Sequence, residues 1–500
     1  MRYDKYRDSI LACWNGKNIG GTLGAPFECL RGVFNVDYYT QELNGEPLPN
    51  DDLDIQLVWL NALEKYGTNI NSHILADYWL GYIIPNWSEY GIAKNNLRRG
   101  LVPPLSGSYN NCFCDSCGSF ILSELWACLL PGTPELAVKY AYEDASVDHC
   151  NEGVYAEIFT TAVQSAAFVE KDKFKLIDIG LSYIPDDCGV RKGIDTVIEA
   201  YRSGLDWKQA RKKLFNTVPG SFGAVSTPLC EIPEDEPVGN LGYDAPSNIG
   251  IIIIGWLYGE DDFSNSICIA TNCGEDADCT AGTLGAILGI VGGMESIPRK
   301  WLEPLGGKIK TSCINYLDYG LDIPQTVEEL TERVLKLGLR FQLALRPDDV
   351  KLCDDITVGL PKADELKYSF SAINNPYGHD MREDFSKPYE LRYSTPLFNV
   401  RININGDPTL SEGEERKIDI TVTNNAKFQQ WINIETHTSD DLAVTPKSIG
   451  DSLMINGPGK LTRTFTVKAD ENFSSSKIKF FIYSAEHISS VCSELIFFRK

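Results

Sequence analysis

Three carboxylates fall within four positions at Asp51-Asp52-Leu53-Asp54, directly after Asn50 and before a run of helical apolar spacing, Ile55 to Leu63. A helix start stabilises acids through its free N–H groups and partial positive charge, and one side chain is enough to cap it. Three acids in four positions repel one another unless a cation sits among them. The segment therefore reads either as a cap with surplus charge or as half of a divalent-metal site.

A second acidic group, Glu275-Asp276-Ala277-Asp278, opens a run of small residues that ends at Gly292-Gly293. Gly282, Gly285 and Gly289 each cost a helix interior about 1 kcal/mol, which makes sense where a neighbouring backbone must come close. Such a helix should be buried. Asp276 and Asp278 at its mouth then need a counter-charge, and a divalent cation supplies one. An exposed acidic turn ahead of a glycine-rich helix is the other reading. Near the N-terminus, Gly16 to Glu28 repeats the small-residue pattern and adds one more acid, Glu28, after Pro26. A polar loop from Asp144 to Tyr155 carries Asp148-His149, one of only five histidines; a lone histidine is usually structural, but beside an acidic site it could contact a sugar or phosphate.

These groups must be brought together by helices. The apolar spacing to about residue 345 is helical, as in Asp52 to Tyr66, Pro134 to Asp144, Val154 to Glu170 and Thr326 to Leu345. Pro103-Pro104, Pro131 to Pro134 and Pro219-Gly220 separate the segments, and Thr133 or Thr326 could cap the helix that follows. After about residue 395 the period becomes two, in Lys417 to Val422, Gln430 to Glu435, Leu461 to Val467, Ile478 to Tyr483 and Ser493 to Phe498. The expected organisation is an all-α domain over 1–345, an irregular connector over 346–394, and a small antiparallel, Ig-like β-sandwich over 395–500. The sandwich shows no aromatic platform; Phe428 and Trp431 are the nearest to one, and core packing is the expected role for them.

With 43% apolar and 23% charged residues the chain is an ordinary globular protein. A net charge of -23 repels phosphate backbones and anionic bilayers, so neither nucleic acid nor a membrane is an expected partner. The N-terminus has no apolar h-region and the longest apolar run, Ile249 to Leu257, is too short to span a bilayer. The 15 cysteines are irregularly spaced and read as reduced thiols, which makes the cytoplasm the expected location. Cys112-Phe-Cys114-Asp-Ser-Cys117 resembles a metal knuckle, but no matching Cys/His pair follows at zinc-finger spacing.

Four of these landmarks, in this order, resemble the ADP-ribosylglycohydrolase family, the group that includes the dinitrogen-reductase-activating glycohydrolases and their animal relatives. They are Gly20 to Glu28, Asp51-Asp52, Asp148-His149 to Tyr155, and Cys273 to Thr280 with the helix behind it, so the resemblance spans roughly 5–295. It implies a compact orthogonal helical fold holding two Mg²⁺ or Mn²⁺ ions. By position, the metal ligands would be Asn50, Asp51, Asp52, Asp276, Asp278 and Thr280, with Glu28 and Asp52 as catalytic carboxylates. His149, Tyr155, Gly118 and Ser119 would contact a small-molecule glycoside or an ADP-ribosylated substrate. The family's usual Thr-Asp-Asp is Asn50-Asp51-Asp52 here, where an amide oxygen replaces a hydroxyl. Its Gly-Asp-Thr-Asp-Thr becomes Glu275-Asp276-Ala277-Asp278-Cys279, so the last oxygen ligand is lost or passes to Thr280; a hard cation does not choose a thiol.

The expected chemistry is metal-assisted hydrolysis of a glycosidic bond at a ribose-like sugar. Paired cations hold sugar hydroxyls and generate hydroxide near neutral pH. Leu122 stands near where many members have an arginine after the phosphate-facing loop, which keeps open a glycosidase for free carbohydrate or nucleoside. Asn50 and Cys279 keep open a non-catalytic, ligand-binding member with a decayed site.

Overall fold

The computed structural model describes residues 1–218, 242–314, 320–352, 355–371, 380–454 and 459–500; the Pro219-Gly220 breaker lies outside the described residues. Helices dominate through Leu345 and β-strands follow from Glu390, so the helical and sandwich halves expected from periodicity are both present. Helices span Asp51–Tyr66, Pro134–Ala145, Asn151–Ala167 and Val327–Leu345, where apolar spacing placed them. Thr326 caps the last of these by accepting from the Glu329 N–H. Thr133 does not cap, because its hydroxyl donates to the Leu130 carbonyl.

Two small-residue helices form the centre of the helical half. Tyr3–Gly24 and Ala277–Gly292 run antiparallel with their backbones in contact. A Cβ at Gly16 would fall 2.0 Å from the Gly285 carbonyl oxygen, and one at Gly24 would fall 2.3 Å from that of Ala277. Only glycine permits that approach, which offsets its helix-interior cost. The C-terminal end of the first helix is thereby laid against the N-terminal end of the second. An antiparallel pairing of Leu30-Arg31 with Gly274-Glu275 fastens the join, and the Arg31 guanidinium grips the buried Glu275 carboxylate at 2.7 and 3.0 Å.

The sandwich consists of two five-stranded sheets. One runs Leu442–Thr445, Lys460–Ala469, Glu415–Asn424, Phe398–Asn403 and Glu390–Ser394, all antiparallel. The other runs Ser448–Leu453, Gln430–Thr438, Ser475–Ser484, Ser490–Arg499 and Thr409–Leu410, with only its last pair parallel. Within 346–394, expected to be irregular, the chain forms a short helix at Met381–Phe385 and the edge strand at Glu390–Ser394. Alternating side chains such as Ile418, Ile420, Val422, Phe465 and Phe480 fill the space between the sheets. Leu101, Leu105 and Tyr109 from the helical half complete that core, and Arg99 stacks on Phe498 at 4.0 Å. Phe428 and Trp431 are not core residues as expected; they stand 41% and 46% exposed. Among the described residues no helix is long and apolar enough to cross a membrane.

Candidate active site

The contact between the two glycine-rich helices leaves a cleft of about 490 Å³ at the end where Glu28 and Asp276 meet. Glu28 lines one wall, and Asp276, Asp278 and Cys279 line another at the mouth of Ala277–Gly292. Asp51 enters from the first turn of Asp51–Tyr66. The remaining walls are Trp87 to Tyr90, Ser116 to Gly118, Ile121 and Tyr243.

The acidic segments, more than two hundred residues apart in sequence, touch. Asn50 caps its helix by accepting from the Asp52 N–H at 2.8 Å, and its amide donates to Asp278 Oδ2 at 3.2 Å. Oxygens of Glu28, Asp276 and Asp278 lie within 4.8 Å of one another. Ligands on opposite sides of a Mg²⁺ ion are about 4.2 Å apart, so this spacing suits a divalent cation with little adjustment. Among the described residues, Asp276 Oδ1 and Asp278 Oδ1 are buried without a hydrogen-bond partner. An unpartnered buried carboxylate oxygen is costly, and a cation in the cleft would relieve both.

Electrostatics agree. Burial raises the Asp276 and Asp278 carboxyls well above the ordinary range; Asp278 and Glu28 add to it at Asp276, and Glu28 and Asp52 add to it at Asp278. Asp51 is pushed up to about 8, by burial first and then by Asp52 and Glu28, although the Tyr90 hydroxyl donates to its Oδ2 at 3.0 Å. Glu28 keeps contact with solvent in the open cleft, yet the surrounding protein and Asp52 still raise its pKa. These acids cannot all ionise together unless positive charge is added.

The other acids and polar groups divide between the cleft and the frame around it. Asp52 is buried behind Asp51, with Oδ1 accepting from the Cys279 thiol at 3.2 Å and Oδ2 lying 3.2 Å from the Lys17 ammonium. Asp54 points away and takes the N–H groups of Ser312 and Cys313, both at 2.7 Å. Gly118 lines the cleft. Ser119 is buried beneath it, donating to the Gly153 carbonyl. His149 is fully buried, with Nδ1 2.8 Å from Asp148 and Nε2 2.8 Å from the Ser116 hydroxyl, so it reaches the cleft through Ser116. Tyr155 hydrogen-bonds Ser386 at 3.1 Å, and Thr280 donates to the Ala277 carbonyl inside its own helix; neither lines the cleft.

Several cleft residues were not singled out in the sequence. Trp87, Ser88, Glu89 and Tyr90 begin the Ser88–Arg98 helix, and no local pattern marks that helix start as part of a site. Glu89 is pushed up to about 7 by burial, against the pull of His149 3.9 Å away. In the sequence Cys117 stands only as the end of a knuckle-like run. Its sulfur donates instead to Asp276 Oδ2 at 2.7 Å.

A family model described as ADP-ribosylglycohydrolase matches residues 2–340, which is most of the chain and contains every acid of the cleft. The chain belongs to the ADP-ribosylglycohydrolase family. A C-terminal β-sandwich lies beyond the matched region. Among curated proteins it is similar to ADP-ribosylarginine hydrolase Tri1 of Serratia proteamaculans (strain 568), 41% identical over 49 residues, which is 10% of this chain and 13% of that one. A solved structure described as an ADP-ribosylglycohydrolase-related protein complex aligns at 18% identity and a TM-score of 0.43, covering 67% of this chain and 99% of its own. A FixG-related protein from Vibrio parahaemolyticus aligns at 16% identity and a TM-score of 0.17, covering 21% of this chain and 99% of its own.

Proposed function

We propose that this ADP-ribosylglycohydrolase cleaves the glycosidic bond at the ribose of an ADP-ribosylated substrate and needs a divalent cation, Mg²⁺ or Mn²⁺, to do so. The observation that supports this most directly is the pair of buried oxygens, Asp276 Oδ1 and Asp278 Oδ1, that have no partner among the described residues and lie beside Glu28 in an open cleft. Glu28, Asp51, Asp276 and Asp278 supply carboxylate oxygens, the donor type that hard cations take, whereas the Asn50 oxygen is held by the Asp52 N–H and its amide N–H faces Asp278. A cation bound there supplies positive charge against the sugar hydroxyls and lowers the pKa of water.

The chain's own residues do the rest. Breaking the bond builds positive, oxocarbenium-like character on the sugar, which a wall of carboxylates stabilises. Glu28, with its raised pKa and its access to the cleft, can hold a proton for the departing group or take one from water. Tyr90 fixes Asp51, and Ser116 and Gly118 leave room opposite for the remainder of the substrate. A side chain at 118 would collide with Glu89, whose Oε1 lies 2.3 Å from the position of an added Cβ. We place the activity in 1–345 and assign 395–500 an accessory or assembly role.

Purified chain with Mg²⁺ or Mn²⁺ should be tested on ADP-ribosyl-arginine, ADP-ribosyl-serine and aryl furanosides. Metal-dependent release of ADP-ribose is the expected result, and the arginine linkage is the first choice because the similar Serratia protein is named for it. Turnover confined to simple glycosides would remove the ADP-ribose reading.

A further inference from the structure

We propose that the cleft contains a second, sulfur-bearing metal half-site, made by Cys117, Cys279 and Asp276, which takes Zn²⁺ rather than Mg²⁺ or Mn²⁺. This rests on the metal-dependent reading above and specifies which ion one half of the site selects.

The two sulfurs and a carboxylate oxygen of Asp276 all lie within 4.8 Å of one another. Cys117 Sγ is 2.7 Å from Asp276 Oδ2, and Cys279 Sγ is 3.2 Å from Asp52 Oδ1. At a Zn–S bond of about 2.3 Å, two thiolates on one tetrahedral zinc stand about 3.8 Å apart, so the cluster needs little rearrangement. All three residues line the cleft, which leaves the fourth zinc position open to water or substrate. Independently of the thiols, Asp276 Oδ1, in a residue only 4% exposed, is buried without a partner among the described residues.

Chemistry decides the ion. Thiolates are soft ligands and favour zinc over hard cations, whereas the Glu28, Asp51 and Asp278 side is all oxygen. Asp276 offers one oxygen to each side. Cys117 is separated from Cys112 and Cys114 in this role, because its partner comes from a residue 162 positions later in the chain, Cys279. On binding, each thiol gives its proton to solvent and its sulfur lone pair to the metal, with no change of oxidation state.

The test is Co²⁺, a coloured stand-in for zinc, titrated into the full-length reduced protein. A sulfur-to-cobalt charge-transfer band in the near ultraviolet is expected, removed by Zn²⁺ but not by Mg²⁺. C117S and C279S should each lose intensity and bind Zn²⁺ more weakly by at least the roughly 10- to 100-fold that loss of an outer-shell partner costs. A wild-type cobalt complex without that band, or unaltered Zn²⁺ affinity in folded C117S and C279S, overturns the proposal. Mn²⁺ titration separates it from the broader reading. If Mn²⁺ binds and supports turnover while cobalt shows no sulfur band, only the half-site is wrong; if no divalent ion binds, both readings fail.

Discussion

The Lys17 ammonium sits 3.2 Å from Asp52 Oδ2 and 3.5 Å from Glu124 Oε1, with the lysine only 1% exposed. Burial alone would lower its pKa, but Asp52 and Glu124 outweigh that and raise it, so Lys17 is a permanent cation beneath the cleft. It neutralises part of a cluster that is otherwise all acid, and it commits one oxygen of Asp52 inward. Asp52 thereby belongs to the charged foundation of the site, behind the cleft wall rather than in it.

Removing that cation should be costly. K17M leaves Asp52 and Glu124 buried without a counter-charge, and about 3–5 kcal/mol of stability should be lost, read from urea unfolding at neutral pH. Adding E124Q to K17M should restore part of the loss. If the double variant is no more stable than K17M, lost packing rather than charge explains the effect.

Cation binding and proton handling should separate by variant. D278N should abolish Mn²⁺ binding seen by calorimetry and reduce turnover at least on the order of 10²-fold. E28Q should lower kcat by roughly 10²- to 10⁴-fold, the range for a lost general acid or base, while retaining measurable Mn²⁺ binding. Full turnover in D278N would refute the assignment.

The glycine contact should govern the site from a distance. G285V drives side-chain atoms into the Gly16 backbone and should cost at least about 1–3 kcal/mol. Because that contact sets Glu28 beside Asp276, Mn²⁺ affinity should fall as well, though residue 285 touches no cation. Wild-type affinity in a folded G285V protein would show that the helix contact does not set the site's spacing.

Stability should depend on pH through His149 and Glu89. Burial opposes the charged imidazole, but Asp148 and then Glu89 raise it to about 9 from an ordinary 6.5. Its contribution is therefore complete below about 6.5 and lost as pH rises through 9, up to about 3 kcal/mol. Glu89, raised by burial to about 7, loses stability over the lower window from about 4.5 to 7. H149Q should flatten thermal-melt curves in the upper window and E89Q in the lower. Unchanged slopes in both variants would contradict the assignment.

Much of this protein was legible in the chain itself. Period 3.6 and then period 2 marked its helical and sandwich halves, because side-chain burial repeats with the backbone. Asp51-Asp52 and Asp276-Ala277-Asp278 stood out because like charges crowd at helix starts, and Gly16, Gly20, Gly282 and Gly285 stood out because glycine is costly there without a reason. Only the tertiary structure identified the neighbouring backbone, that of a helix far away in sequence. It also placed the thiol of Cys117 against Asp276, put Lys17 under Asp52, and gave the cleft Glu89 and Tyr90. Those are pairings between distant segments, fixed by how helices cross and what they bury, and local spacing carries no record of them.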